Sequence, residues 1–233
     1  MITLRRDKER HRVSRYKQDV CRTFYPQDLA DPLANGFGAL ESFNEDRFPP
    51  GAGLRLQPRN YSEVITYVLK GALAQEDSTG RSGVIHAGEF QRLTAARGVR
   101  HSDRNASRTE WAHIFQIRLY PLKMGLDPSV EQKRFSAAEL RDGLCIVASP
   151  DGRKGSLCVN RDALIYSAIL DPGKHLVHEL PQGRIAWLHV VRGEATLGDL
   201  VLSAGDGVGV TAEAAVSVTA REQTEILLVD LES

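Results

Sequence analysis

Val64-Ile65-Thr66-Tyr67-Val68-Leu69-Lys70-Gly71 is a run of β-branched, aromatic and aliphatic residues closed by glycine. That is the composition of a strand packed on a pleated surface and ended where the backbone turns sharply. The device recurs at intervals of about ten residues. Leu73 to Gln75 precedes Asp77-Ser78-Thr79-Gly80, Ile114 to Leu119 precedes Pro121, Ile165 to Leu170 precedes Asp171-Pro172-Gly173, Ile185 to Val191 precedes Gly193, and Glu225 to Leu231 closes the chain. Short apolar runs cut by turn residues at this spacing predict an all-β sandwich or barrel. One stretch departs from the pattern. Ser136 followed three residues later by Glu139 forms a capping box, and Gly143 suits a left-handed stop, so a short helix is predicted between them.

The segments on either side of that helix resemble each other. Each has a strand ending at a glycine, Gly71 or Gly193, after an earlier glycine turn at Gly51 and Gly53 or at Gly173. Each then runs into an Ala-Gly-acid step, Ala87-Gly88-Glu89 or Ala204-Gly205-Asp206. This predicts an internal duplication of a β-barrel unit about 100 residues long. The expected domains are residues 1–134 and 135–233, packed face to face, with the N-terminal residues crossing over to pair with the second barrel.

Two segments in the first half match the frame of the cupin superfamily of jelly-roll barrels: Gly51, then Gln57-Pro58-Arg59, Glu63 and Gly71; and Gly98-Val99-Arg100-His101-Ser102-Asp103-Arg104-Asn105. More narrowly, the chain resembles the pirin family of bicupins. The matching segments are Gly36-Phe37-Gly38-Ala39-Leu40, Glu63 to Gly71, Gln75-Glu76-Asp77-Ser78-Thr79-Gly80, Ala87-Gly88-Glu89-Phe90-Gln91, Gly98 to Ser102 and Ser149-Pro150-Asp151-Gly152-Arg153-Lys154-Gly155-Ser156-Leu157. The similarity extends from about residue 1 to the C-terminus. The resemblance implies two tandem cupin barrels in a monomer, with a metal (Fe, Ni, Cu or Zn) in the N-terminal barrel only. It also implies activities ranging from quercetin 2,3-dioxygenases to transcriptional or redox-linked regulators.

In metal-holding pirins the ligands are a His-x-His pair on one strand and a His and a Glu two residues apart on its neighbour. The equivalent positions here read Gln57, Arg59, His101 and Asp103. His101 and Asp103 supply one imidazole and one carboxylate, weak candidates for an ion by themselves. Gln57 is a neutral oxygen donor, and Arg59 stays protonated with no lone pair to give. A cation a few ångströms from a divalent ion costs several kcal/mol at an effective dielectric of about 20. These residues therefore lead to an expectation of no metal cofactor, with Arg59 paired to Asp103 and Glu63 in place of the ion. The alternatives are side chains that simply fill the barrel and a polar pocket of Arg59, His101 and Gln57 for a small anion. The stretch Gln57-Pro58-Arg59-Asn60-Tyr61 also resembles pirin-like bicupins that lack the His pair.

Two functional readings follow. In the first the protein is not an enzyme and binds a small molecule or a protein partner, in regulation or stress response. In the second it is a metal-dependent dioxygenase of the quercetinase kind, in which His101 and Asp103 hold the ion with help from Gln57 or water. A redox sensor through Cys21, Cys145 or Cys158 is a third reading. Three scattered cysteines make neither a disulfide framework nor a zinc cage, and packing is the ordinary role of such thiols.

His175 and His178 begin the corresponding segment of the second barrel, but a His-x-x-His spacing points the two rings to opposite faces of a strand. His86, His113 and His189 read as packing residues. No Gly-x-Ser-x-Gly elbow, P-loop or dinucleotide fingerprint is present. Lys and Arg number 30 against 30 Asp and Glu, so no net positive field invites nucleic acid or an anionic membrane. The basic cluster Arg5, Arg6, Lys8, Arg10, His11, Arg12, Arg15 and Lys17 is expected to be a solvated face, and Arg97-Gly98-Val99-Arg100 a turn entering a strand. With 42% apolar and 26% charged residues and no window long enough for a membrane span or secretory signal, the expected location is the cytoplasm.

Overall fold

The computed structural model describes residues 1–15, 18–28, 30–58, 62–95, 99–120, 122, 125–141 and 143–233, with the backbone alone at residue 15 and residues 55–58. Within them the chain forms two compact units. The C-terminal unit is Met1–Arg10, Phe37–Ala39 and Phe135–Ser233, and the N-terminal unit is His11–Gly36 and Leu40–Arg134. The C-terminal unit begins with β1 (Ile2–Arg5). The N-terminal unit holds β2 (His11–Arg15), β3 (Gln18–Arg22), β4 (Leu40–Phe48), β5 (Gly53–Pro58), β6 (Ser62–Lys70), β7 (Ala72–Asp77), β8 (Ser82–His86), β9 (Glu89–Ala95), β10 (Arg100–Asn105), β11 (Ala112–Leu119) and β12 (Ser129–Arg134). After α1 (Ala137–Arg141), the C-terminal unit continues with β13 (Cys145–Ser149), β14 (Leu157–Cys158), β15 (Ala163–Leu170), β16 (His175–Glu179), β17 (Arg184–Arg192), β18 (Glu194–Leu197), β19 (Leu200–Ser203), β20 (Gly207–Val210), β21 (Ala215–Ala220) and β22 (Thr224–Glu232).

Each unit is a seven-stranded sheet and a four-stranded sheet, the layers of a jelly roll. In the N-terminal unit the orders are β12-β9-β6-β11-β4-β3-β2 and β5-β10-β7-β8; in the C-terminal unit they are β1-β20-β17-β22-β15-β13-β14 and β16-β21-β18-β19. The central runs β9-β6-β11-β4 and β20-β17-β22-β15 correspond strand for strand, so the duplication predicted from the glycine punctuation is present in the topology. The edge strand is different in the two. β12 fills it in the N-terminal unit, whereas β1, from the start of the chain, pairs with β20 (Ile2 opposite Val210, Leu4 opposite Val208) in the C-terminal unit.

The repeated glycines have a common cause. Gly71 after β6 and Gly193 after β17 have φ of +78° and +84°. A Cβ at Gly71 would stand 2.6 Å from the carbonyl oxygen of Trp111, and one at Gly193 would crowd that of Gln223. The predicted helix forms as α1: the Ser136 hydroxyl accepts from the Glu139 N–H at 3.2 Å, and the Glu139 carboxylate takes the Ser136 N–H at 2.7 Å.

The basic N-terminal cluster is not simply a solvated face. The Arg6 guanidinium donates to Asp206 at 2.7 Å, and the side chain of Arg10 is fully buried and meets Asp7 at 3.3 Å. Pairing of β1 with β20 draws these residues into the unit. Tyr16 and Lys17 lie outside the described residues, as do Arg97 and Gly98. No described helix is long and apolar enough to cross a membrane.

Candidate functional site

Strand parity assigns the interior of the N-terminal unit. Phe48, Val68, Leu73, Ile85, Ala112 and Ile114 are completely buried and form one apolar cluster, with Leu54 against it. Residues an even number of places from these on the same strands share their face. On β11 that face continues from Ala112 and Ile114 to Gln116, and on β6 from Val68 back to Thr66 and Val64. On β7 it runs from Leu73 to Gln75 and Asp77. The interior is therefore apolar at one end and polar at the other.

β10 lies in the polar end. It pairs with β7 so that Asp103 faces Gln75 and His101 faces Asp77. His101 and Asp103 are 8% and 2% exposed. Two residues apart on one strand, they share a face, and the structure brings them together as the sequence anticipated. The Gln75 amide donates to one Asp103 oxygen at 3.0 Å and the Gln116 amide to the other at 3.1 Å, while Gln116 also reaches Thr66 Oγ1 at 3.4 Å. Two amide N–H donors, one on each oxygen, fix the plane of the carboxylate.

Two neighbouring carboxylates are held ionised. Burial works to raise the Asp77 carboxyl, but the hydroxyl and N–H of Thr79, the N–H of Arg81 and the charge of His101 keep it below the usual range. Burial likewise opposes ionisation of Glu89, and bonds from the His86 N–H, the Gln132 amide and Arg134 overcome it. A cavity of about 220 Å³ opens beside His101, with Gln75, Asp77, Gln91, Leu93 and Gln132 in its wall.

The other expected members fare differently. Gln57 is placed by its backbone opposite His101, after an irregularity in the β5–β10 pairing between Leu54 and Gln57. Arg59 lies outside the described residues, together with Asn60 and Tyr61. Glu63 does not join the group: three residues before Thr66 on β6, it is on the opposite face, buried there. The expected ion pair of Arg59 with Asp103 and Glu63 lies outside the described residues. Sequence reading missed Gln75, Gln116 and Gln91. Each is an amide at the same parity as an apolar interior residue of its strand, Leu73, Ile114 or Leu93, which is the signal that could have found them.

In the C-terminal unit, His175 and His178 do point to opposite faces of β16. His178 turns toward the core side with Leu176 and meets Asp230 at 2.8 Å, while His175 meets Thr219 at 2.9 Å from the exposed face. His113 meets Glu45 at 2.8 Å and His189 is completely buried. All three cysteines are free thiols: Cys21 buried, Cys145 half-buried and Cys158 exposed.

The family described as Pirin matches residues 5–119, and the quercetinase C-terminal cupin domain matches residues 146–231. The quercetin 2,3-dioxygenase of Escherichia coli strain K12 is 38% identical over 231 residues, 99% of each chain. The solved structure of the bacterial pirin YhhW from Escherichia coli in complex with nickel(II) is 37% identical, covering 100% of this chain and 99% of that one, with a TM-score of 0.93. A quercetin 2,3-dioxygenase from Acinetobacter baumannii at 17% identity and TM-score 0.79 shares the fold. The nickel complex overturns the expectation of no metal cofactor. That expectation set the guanidinium of Arg59 at a ligand position by its equivalence to the family's His-x-His pair; Arg59 lies outside the described residues, whereas His101 and Asp103 share one face of β10.

Proposed function

The chain belongs to the pirin family of bicupins, and on that premise we propose that it is a metal-dependent dioxygenase of the quercetin 2,3-dioxygenase kind. The observation that carries this reading is the 38% identity over 99% of both chains to a protein of that name. The donor set is compatible with it: an imidazole and a carboxylate on one inward face are nitrogen and oxygen ligands suited to nickel(II) or iron(II). His101 and Asp103 would hold the ion, with Gln57 or water completing the set, because Arg59 has no lone pair to offer. A divalent ion there supplies Lewis acidity to a substrate oxygen.

The protein's own contribution is orientation. Gln75 and Gln116 hold the Asp103 carboxylate in a fixed plane, the role that outer hydrogen-bond partners play at metal sites. The cavity beside His101 gives a substrate access to this face of β10. The fold by itself argues nothing, since one barrel serves many chemistries.

The test is oxygen uptake with quercetin by the purified protein loaded in turn with nickel, iron, copper or zinc. Uptake is expected with at least one metal, abolished by chelation and reduced on the order of a hundredfold or more in His101→Ala. Absence of uptake at one bound ion per chain with every metal would overturn the proposal.

A further inference from the structure

β7 and β10 run antiparallel, with Asp77 opposite His101 and Gln75 opposite Asp103. The Ser78 N–H donates to the Arg100 carbonyl at 2.9 Å, so Ser78 and Arg100 form a hydrogen-bonded pair. Pair types alternate along an antiparallel ladder, which makes Asp77 with His101, and Gln75 with Asp103, pairs of the non-hydrogen-bonded kind. In that kind the Cα atoms close to about 4.5 Å and the side chains stand nearest to each other. At Gln75 and Asp103 the result is the bond of 3.0 Å. The register thus gives each candidate ligand on β10 its own polar partner on β7, an amide for the carboxylate and a carboxylate for the imidazole.

The carboxylate of Asp77 is fixed by the hairpin that joins β7 to β8. The Asp77 N–H donates to the Arg81 carbonyl at 2.9 Å, and the Asp77 carbonyl accepts from the Gly80 N–H at 3.1 Å. Its Oδ1 accepts from the Thr79 N–H at 2.8 Å, from the Thr79 hydroxyl and from the Arg81 N–H at 3.1 Å. An aspartate that caps its own turn in this way is an ordinary structural device, and the amide oxygen of an asparagine serves it equally well. The turn therefore accounts for one oxygen and not for the charge.

Oδ2 takes part in none of these turn bonds. The Arg81 guanidinium is engaged elsewhere, donating to the Pro128 carbonyl at 3.3 Å. Asp77 is 7% exposed and shares the wall of the cavity with His101, whose charge is one of the causes that keep the Asp77 carboxyl low. An imidazole that ligates an ion through one ring nitrogen carries its proton on the other. A carboxylate that accepts this N–H fixes the ring and makes it a stronger ligand.

We infer that Asp77 is a positioning residue for His101, its Oδ2 accepting the N–H of the ring nitrogen turned away from the ion. This role rests on the reading of His101 as a metal ligand and deepens it: β7 orients both donors of β10, Asp103 through Gln75 and His101 through Asp77.

The test is calorimetric titration of nickel(II) into the full-length, chelator-stripped protein, with Asp77→Asn and Thr79→Val beside wild type. Asp77→Asn keeps the turn acceptor and removes only the charge and the second acceptor. Its nickel Kd should rise about ten- to a hundredfold. Thr79→Val loses a turn bond and keeps the charge, so its Kd should stay within about threefold of wild type. A second readout needs no variant: in the zinc-loaded wild type, the ring N–H of His101 should give a ¹⁵N–¹H NMR signal protected from exchange with water, and in Asp77→Asn that signal should shift or be lost. An unchanged nickel affinity in Asp77→Asn, an equal loss in Thr79→Val, or an unprotected His101 N–H in wild type would overturn the inference, the last even if Asp77→Asn fails to fold. Nickel binding that depends on Asp77 in a protein that takes up no oxygen with quercetin leaves this role standing and removes the oxygenase reading. Oxygen uptake with an unchanged affinity in Asp77→Asn does the reverse.

Discussion

Asp103 has the most constrained environment of any residue in the site. Each of its oxygens takes one amide N–H, from Gln75 and from Gln116, at 2% exposure. Asp103→Asn keeps the shape but replaces one acceptor by an NH2 that must face another NH2. The stranded donors should cost about 1–3 kcal/mol, read as a lower urea midpoint with an unchanged slope. Bound nickel should fall in the same variant, since the carboxylate charge is gone. An Asp103→Asn protein with wild-type stability and full nickel occupancy would mean that the two glutamines do not serve the carboxylate. Inward parity explains why His101 and Asp103 share a face, while Glu63, equally acidic and equally buried, has the parity opposite to Thr66 on β6.

At the scale of elements, the repeated strand-to-glycine step sets where each sheet turns. Gly71 and Gly193 occupy the same place after β6 and β17, with the same left-handed φ and the same close carbonyl oxygen. Alanine at either position has to carry a strained backbone and also push that oxygen away. Each substitution should cost about 1–3 kcal/mol. The double variant should lose about the sum, because the sites lie in separate units and share no partner. Chemical denaturation of the two single variants and the double checks this, and a cost confined to one glycine would show that the duplicated turn has lost its structural role in the other. The irregular pairing of β5 with β10 is the element-level feature that spacing alone could not supply. Leu54 and Gln57 of β5 are three residues apart while Asp103 and His101 opposite them on β10 are two apart, so the register of the two strands shifts there.

At the scale of the whole molecule, the first residues of the chain complete the C-terminal unit. β1 lies along β20, and Leu4 packs against the C-terminal core. Deleting residues 1–6 removes four paired residues, the Leu4 contact and the Arg6–Asp206 bond, with the loss of Leu4 burial alone worth about 1–2 kcal/mol. Hydrogen exchange should then rise by tenfold or more in β20 and remain unchanged in β6 and β11, which belong to the other unit. Unchanged protection in β20 would mean that its amides do not depend on β1.

The all-β class, the duplication, the capped helix and the pairing of His101 with Asp103 were determined by the sequence alone, because each is a local pattern: strand period, glycine at a positive φ, a capping box, two residues of equal parity. What surrounds Asp103 was decided only by the tertiary structure. Gln75 and Gln116 come from two strands that are not consecutive in the chain, and no spacing rule joins them. They meet at Asp103 because β7 and β11 present their inward faces to one interior, where a buried amide has to find a partner.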